Sequence, residues 1–176
     1  FFHCSRAHRD PPHVPTRRPA GRPIQAGEFD GNIAGIDVGA TDESTTESYG
    51  DPVDHAYIID GNPGTAWRNR GSSQGIGEIV FSFFGREIVL VDAVKLQGSS
   101  ESFDQFPRDV EVWVSTAAKP DGPFTKVAAA SLPKAGEGSV PFSPVEARFL
   151  KFRMLRNQVD KDEFFVAELE IHEAQR

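Results

Sequence analysis

The chain of 176 residues is poor in cysteine and in long hydrophobic runs, and it has no excess of positive charge. Its one cysteine, Cys4, excludes a disulfide within the chain. The longest apolar runs, such as residues 88–91, are far shorter than the roughly 20 residues that a membrane-spanning helix needs. The net charge of −7 argues against a nucleic-acid partner, because binding phosphates requires clustered Lys and Arg.

Signatures of catalysis are also scarce. The sequence contains no His-Glu-x-x-His zinc motif and no pair of cysteines. Gly75 and Gly77 precede a predicted strand, whereas the glycines of a dinucleotide-binding loop follow one. We therefore do not expect this chain to be an enzyme.

The first 27 residues differ in composition from the rest. Residues 1–27 hold five Arg and one Asp, interspersed with proline and with few apolar side chains. Such a segment buries too little surface to offset the entropy lost on ordering. We predict an irregular arm or linker over residues 1–27 and one folded domain over residues 28–176. The arm serves either as a plain linker or as a docking segment for another protein subunit.

Alternation of apolar and polar residues predicts β-strands through most of the domain. Val110, Val112 and Val114 occupy every second position, and the same period of two recurs in residues 150–154 and 167–171. Many short strands separated by turns rich in proline and glycine are typical of a β-sandwich or barrel.

One pair of predicted strands lies close together in the sequence. Residues 78–84 and 88–96 read as two strands around a tight turn at residues 85–87. This pattern is typical of a β-hairpin.

Side-chain oxygens are concentrated in the segment from Asp60 to Trp67. Asp60, Asn62 and Thr65 lie among glycine and proline residues that force the backbone to turn. Calcium prefers six to eight oxygen ligands, so a curled loop of this composition can contribute several. The spacing is not that of an EF-hand, and an ordinary tight turn has the same composition.

Residues 56–67 closely resemble the loop of discoidin domains, also called coagulation-factor type C domains. This group includes the family 32 carbohydrate-binding modules and the galactose-binding domain of galactose oxidase. Residues 79–83, 107–115, 147–152 and 166–171 resemble further strands of the family in the same order. The resemblance covers about residues 32–174, and it implies an all-β fold, an antiparallel jelly-roll β-sandwich of about eight strands.

The resemblance also implies one structural calcium ion, which ties the early loop to the last strand. Side-chain oxygens would come from Asp60, Asn62, Thr65 and Glu168. Backbone carbonyls would come from about Tyr57, Thr65 and Ala167.

The two tryptophans receive different interpretations. In the family the tryptophan equivalent to Trp67 is packed beneath the loop, so we expect Trp67 in the core. Trp113 alternates with the valines of its strand. It is therefore either covered by the second sheet or a loop, or an exposed aromatic residue.

Family members bind ligands at the end of the sandwich near the calcium ion. Sugar recognition combines an aromatic face with polar groups that meet the sugar hydroxyls. For each phenylalanine in the list that follows, the alternative is a position that caps the core beneath its loop. The residues of the corresponding loops that we expect to bind a ligand are Arg68, Asn69, Arg70, Phe103, Phe164 and Phe165.

These expectations combine into a non-catalytic, calcium-stabilised binding module for a glycan or glycoprotein, acting in carbohydrate binding or cell-surface adhesion. The alternative is a structural or protein-interaction subunit that docks through its sandwich and residues 1–27. The resemblance implies an extracellular, periplasmic or cell-surface location. We do not expect membrane binding, because the disulfide and the strongly basic rim of the phospholipid-binding relatives are absent.

Overall fold

The computed structural model describes residues 33–34, 40–45, 54–69, 75–83, 88–98, 103–134, 136–161 and 163–174. The predicted arm, residues 1–27, lies outside these ranges, and its boundary with the domain stays a prediction. Across the described residues, no helix has the length and apolar character needed to cross a membrane.

Ten strands and two short 3-10 helices make up the described fold, so the predicted all-β class is confirmed. The two strands of three residues, β2 and β9, account for the excess over the eight expected. The 3-10 helices are Asp54–Ile59 and Phe103–Gln105. The strands are β1 (Ala40–Thr45), β2 (Trp67–Asn69), β3 (Gly77–Phe83), β4 (Val89–Gln97), β5 (Pro107–Ser115), β6 (Thr125–Ser131), β7 (Glu137–Ala147), β8 (Phe149–Asn157), β9 (Phe164–Val166) and β10 (Glu168–Glu173).

The strands form an antiparallel β-sandwich. One sheet has the order β1-β3-β8-β5-β6, the other has the order β10-β4-β7, and β2 pairs separately with β9. All the strand pairs are antiparallel. Val110, Val112 and Val114 are buried in one core cluster together with Leu169 and Ile171 of the opposite sheet. The alternation read from the sequence therefore assigns the inner faces of these strands correctly.

The predicted hairpin of β3 and β4 is wrong. Both strands exist, but β3 pairs with β1 and β8, whereas β4 pairs with β10 and β7. Consecutive strands can either pair with each other or pass from one layer to the other. Both β3 and β4 bury apolar residues in the shared core, and each finds its hydrogen-bond partners in its own sheet.

The two tryptophans occupy different environments. Trp67 is fully buried, as expected. Trp113 is half-buried on the outer face of the five-stranded sheet, where its Nε1 donates to Glu111 Oε2 at 3.0 Å. Lys126 Nζ and the Arg153 guanidinium lie 5.6 and 5.7 Å from its ring. Trp113 is thus partly covered by cationic side chains of its own sheet, a position between the two alternatives.

Backbone hydrogen bonds join the first described residues to the last strand. Ile33 N donates to the carbonyl of Ile171 at 2.7 Å, and Ala174 N donates to the carbonyl of Leu90 at 2.9 Å. These bonds place the beginning and the end of the domain side by side at the β10 edge of the three-stranded sheet.

Candidate functional site

The loop after the first 3-10 helix curls around its own polar side chains. Asn62 N donates to Asp60 Oδ1 at 2.9 Å, and Gly64 N donates to Asn62 Oδ1 at 3.1 Å. Thr65 N donates to the carbonyl of Asn62 at 3.0 Å. Gly61 has a φ of 74°, which favours glycine. Asp and Asn side chains commonly hydrogen-bond the backbone two residues on, and two such bonds in succession fix this curl.

Glu168 brings a second carboxyl group to this loop from the other end of the domain. Gly61 N donates to Glu168 Oε2 at 3.3 Å, across 107 positions of sequence. Glu168 Oε1 is buried and has no hydrogen-bond partner. Burial, together with a hydrogen bond to Asp60 and the charge of Asp60, raises the pKa of Glu168 to about 8. A carboxyl group held near another carboxyl retains its proton unless a cation takes the place of that proton.

The donor set at this position fits a hard cation. Thr65 Oγ1 lies 2.8 Å from Asp60 Oδ2 and 2.7 Å from the carbonyl oxygen of Asn62, so hydroxyl, carboxylate and carbonyl oxygens converge. Across the described ranges, no three His, Cys, Asp or Glu side chains converge on one point. The candidate set has only two carboxylates, and the neutral oxygens beside them are ligands that calcium accepts.

The remaining predicted ligands, Tyr57 and Ala167, flank the same loop and strand. Tyr57 is half-buried in the 3-10 helix before Asp60. Ala167 is buried in the break between β9 and β10, and its N donates to the carbonyl of Gln97 at 2.8 Å. The alternation breaks between Val166 and Ala167, which are both buried, and it is regular from Ala167 onward, so Glu168 lies on the face opposite Ala167 and Leu169 and its side chain reaches the loop.

Two of the predicted ligand-binding residues are in the core, and their assignment to a binding surface is wrong. Asn69 and Phe164 face each other in the β2–β9 pair, and both are fully buried. A Cβ atom added to Gly77 would lie 2.8 Å from Phe164 Cδ2 and 3.0 Å from Asn69 Oδ1. The physical reason is the alternation of the short β2–β9 pair, which turns these two side chains inward.

The neighbouring pair on the same two strands faces outward. Arg68 lies opposite Phe165 in the register, and its guanidinium is 4.9 Å from the centre of the Phe165 ring. Both side chains are half-buried. They therefore remain candidates for ligand contact, whereas Arg70 lies outside the described residues.

Phe103 offers an exposed aromatic face at this end of the sandwich. Its side chain is 43% exposed, and its ring lies against Gly136, where an added Cβ would meet Phe103 Cε1 at 2.2 Å. The 3-10 helix that carries Phe103 lies beside β9. Asp104 and Lys134 form an ion pair at 2.5 Å between the same two loops. We call Phe103 and Gly136 the platform.

Sequence reasoning did not assign a role to Gly136. Its φ of 71° and its hydrogen bond to Gly98 N at 2.5 Å hold the turn that supports Phe103. Residues 134–138 carry a turn signal in the sequence, but their contact with Phe103 depends on the fold.

A third loop on this end of the domain is organised by Asn157, which is fully buried. Asn157 Oδ1 accepts from the backbone N of Val159 at 3.0 Å and of Lys161 at 2.9 Å. Arg108 bridges from β5 to Asp160, at 2.7 Å. Asp160 has a φ of 59°, a conformation that Asp tolerates better than most residues. The loop is therefore fixed by its own hydrogen bonds.

The sequence also contains a Gly-x-Ser-x-Gly pattern at residues 71–75, although we expected no nucleophile elbow of this kind. The nucleophile elbow that uses this pattern joins a strand to a helix. Here the pattern lies between β2 and β3, which are both strands. Its context is therefore not that of a nucleophile elbow.

The family model of the F5/8 type C domain matches residues 39–169, which is most of the chain. This chain belongs to the F5/8 type C domain family. The resemblance found in the loop and strands is thereby confirmed. No curated protein sequence matches the chain significantly.

Solved structures similar to this F5/8 type C domain confirm its fold. A family 32 carbohydrate-binding module of Clostridium perfringens NanJ, in complex with galactose, has a TM-score of 0.60 at 22% identity, covering 76% of this chain and 93% of that one. The Clostridium perfringens domain CpGH89CBM32-5, in complex with GalNAc-β-1,3-galactose, has a TM-score of 0.62 at 16% identity, with 76% and 94% covered. Chitosan-binding module 1 of a Paenibacillus chitosanase/glucanase has a TM-score of 0.62 at 18% identity, with 80% and 98% covered.

Proposed function

We propose that this F5/8 type C domain is a non-catalytic carbohydrate-binding module, stabilised by one calcium ion. It takes part in glycan binding or adhesion at an extracellular, periplasmic or cell-surface location. The similar structures are of carbohydrate-binding modules, and two of them hold galactose or GalNAc-β-1,3-galactose. Their identity to this chain is too low to transfer a specificity, so the proposal depends on the chain's own residues.

The observation that carries the proposal is the exposure of Phe103. Three large apolar side chains are exposed among the described residues, and Phe103 is the aromatic one. The apolar face of a sugar ring packs on such a side chain, and neighbouring polar groups select the sugar by its hydroxyls. Asp104 and Lys134 supply charged hydrogen-bonding groups beside the ring.

Calcium would have a structural role in this function. Asp60, Asn62, Thr65 and Glu168 would hold the ion with their side chains, helped by the carbonyl oxygens of residues 57, 65 and 167. Binding there would neutralise the half-buried carboxyls of the loop and of β10. The ion supplies positive charge and takes part in no reaction. Its effect is to fix the loop that leads into β2, and with it the Arg68–Phe165 pair.

A glycan-array screen of the full chain in the presence of calcium tests the carbohydrate proposal. We expect reproducible binding to a group of related sugars, and at least tenfold weaker binding by Phe103→Ala. Ile88→Ala is the matched control, because Ile88 is 45% exposed and lies at the opposite end of β4. A blank array from folded, calcium-loaded protein would contradict the proposal and favour the protein-interaction alternative.

A further inference from the structure

A groove of about 590 Å³ crosses the outer face of the three-stranded sheet. Its volume lies in the range of small-molecule sites, about 300–1,000 Å³. We call it the sheet groove. Its polar lining residues are Lys95, Gln97, Glu137, Ser139, Glu168 and Glu170.

The polar side chains of the sheet groove form two rows across the strands. In one row Gln97 of β4 lies between Glu168 of β10 and Glu137 of β7. In the other row Lys95 lies between Glu170 and Ser139. Positions two apart on a strand share a face and lie about 7 Å from each other. The sheet groove therefore presents two successive sets of hydrogen-bonding groups along its length.

The sheet groove begins next to the platform. Gly136, which supports the Phe103 ring, directly precedes Glu137 of the first row. Gly136 is also tied to the end of β4, because its carbonyl accepts a hydrogen bond from Gly98 N at 2.5 Å. An exposed aromatic face is thus followed, along one surface, by a groove with amide, hydroxyl, carboxylate and ammonium groups.

We propose that the sheet groove extends the glycan site, so that the domain binds a chain of two or more sugars instead of a single terminal sugar. This inference depends on the proposed carbohydrate function. One sugar stacks on Phe103, and the following sugars lie over the two rows. Gln97 both donates and accepts hydrogen bonds, as does the Ser139 hydroxyl, which suits sugar hydroxyls.

The charge of the sheet groove selects among glycans. With Glu168 engaged by calcium, Glu137 and Glu170 face Lys95, which leaves a net charge of −1 in the lining. Carboxylated or sulfated sugars are repelled by such a lining, whereas neutral sugars and amino sugars are accepted. The ligand class is therefore a neutral or cationic oligosaccharide.

Calorimetric titration of the full chain against sugars of increasing length tests this inference. The probes are glucosamine with its β-1,4-linked di- and trisaccharide, galactose with GalNAc-β-1,3-galactose, and a galacturonate trisaccharide, all with calcium. We expect affinity to rise at least tenfold from a monosaccharide to the longest accepted probe. We expect the galacturonate trisaccharide to bind at least tenfold more weakly than a neutral or cationic probe of similar length.

A variant that fills the sheet groove distinguishes sugar binding in the groove from sugar binding at the platform. Ser139→Trp places a large side chain in the second row, and we expect it to abolish the gain with length while leaving monosaccharide binding unchanged. Ser143→Trp is the matched control, because Ser143 is exposed on the same strand but does not line the groove. We expect this variant to bind every probe like the wild type.

The outcomes distinguish the two proposals. Equal affinity for sugars of all lengths would overturn the proposed role of the sheet groove, and so would an unchanged length dependence in Ser139→Trp. Either result would leave the proposed sugar binding at the platform standing. Absence of binding to every probe and on the glycan array overturns the carbohydrate function and with it this inference.

Discussion

The carboxyl of Asp60, which follows an early 3-10 helix, lies close enough to that of Glu168, which begins the last strand, to raise the pKa of Glu168. Gly61 N adds a backbone hydrogen bond to Glu168 across the same junction. Two carboxyls in contact need a proton or a cation between them, because two carboxylates repel each other. The stability of this junction should therefore depend on both calcium and pH.

Calcium should stabilise the domain, and Glu168→Gln should remove that effect. A ligand present at a hundred times its dissociation constant stabilises a protein by about 2.7 kcal/mol. For a domain of this size that corresponds to a rise in Tm of about 5–10 °C. The measurement is thermal unfolding with calcium and with a chelator. Glu146→Gln, at an exposed position of β7, should respond to calcium like the wild type. An unchanged Tm for the wild type would contradict the calcium site.

Calcium binding should release a proton near pH 6 and none near pH 9. The pKa of Glu168 is raised from 4.5 to about 8 in the metal-free protein. A group whose folded pKa is raised contributes stability that is complete below pH 4.5 and is lost as the pH rises through about 8. The metal-free domain should thus lose stability over this window, and calcium should reduce the loss because it replaces the proton.

Titration calorimetry in two buffers that differ in ionisation enthalpy measures this proton release. For the wild type the release should approach one proton per calcium ion near pH 6 and fall close to zero near pH 9. The same release at both pH values would mean that Glu168 is ionised throughout.

Replacing Phe164 should lower the stability of the domain, because Phe164 is a core residue that does not contact a sugar. Phe164→Ala removes a fully buried ring, which we expect to cost about 3–5 kcal/mol in the free energy of unfolding. Phe165→Ala is the control, because its half-buried ring stacks outward with Arg68. Urea unfolding should give a smaller loss for that variant. A comparable loss for both would mean that the β2–β9 pair does not separate inner from outer side chains as described.

Gly136→Ala should disturb the platform. The positive φ alone costs about 1 kcal/mol for a non-glycine residue, and the new Cβ must also displace the Phe103 ring. Gly61→Ala is the control, because Gly61 has a similar φ of 74° but no atom within 4 Å of an added Cβ. Unfolding should therefore show a larger loss for Gly136→Ala.

A double-mutant cycle isolates the ring contact. In a Phe103→Ala background the cost of Gly136→Ala should fall to about that of Gly61→Ala, since only backbone strain remains. If Gly136→Ala lowers the free energy of unfolding equally in both backgrounds, the contact between Gly136 and Phe103 does not contribute to stability.

Local patterns predicted the strands better than their partners. The valines of β5 are buried as their period of two predicts, because side chains on one face of a strand meet the same layer. The assignment of β3 and β4 to one hairpin failed because the choice of partner strand depends on hydrogen bonds to β8 and β10, far away in the sequence. Phe164 was predicted on the surface for a different reason. Its strand, β9, has only three residues, which is too short to show a period of two.

By itself, the sequence determined the fold class, the family and the loop from Asp60 to Trp67, because strand alternation and turn chemistry act over a few residues. Only the tertiary structure decided that Glu168 reaches this loop, that Phe103 lies on Gly136, and that the sheet groove follows from there. These relationships join segments distant in sequence. They are set by the packing of two sheets against one core, which no local pattern encodes.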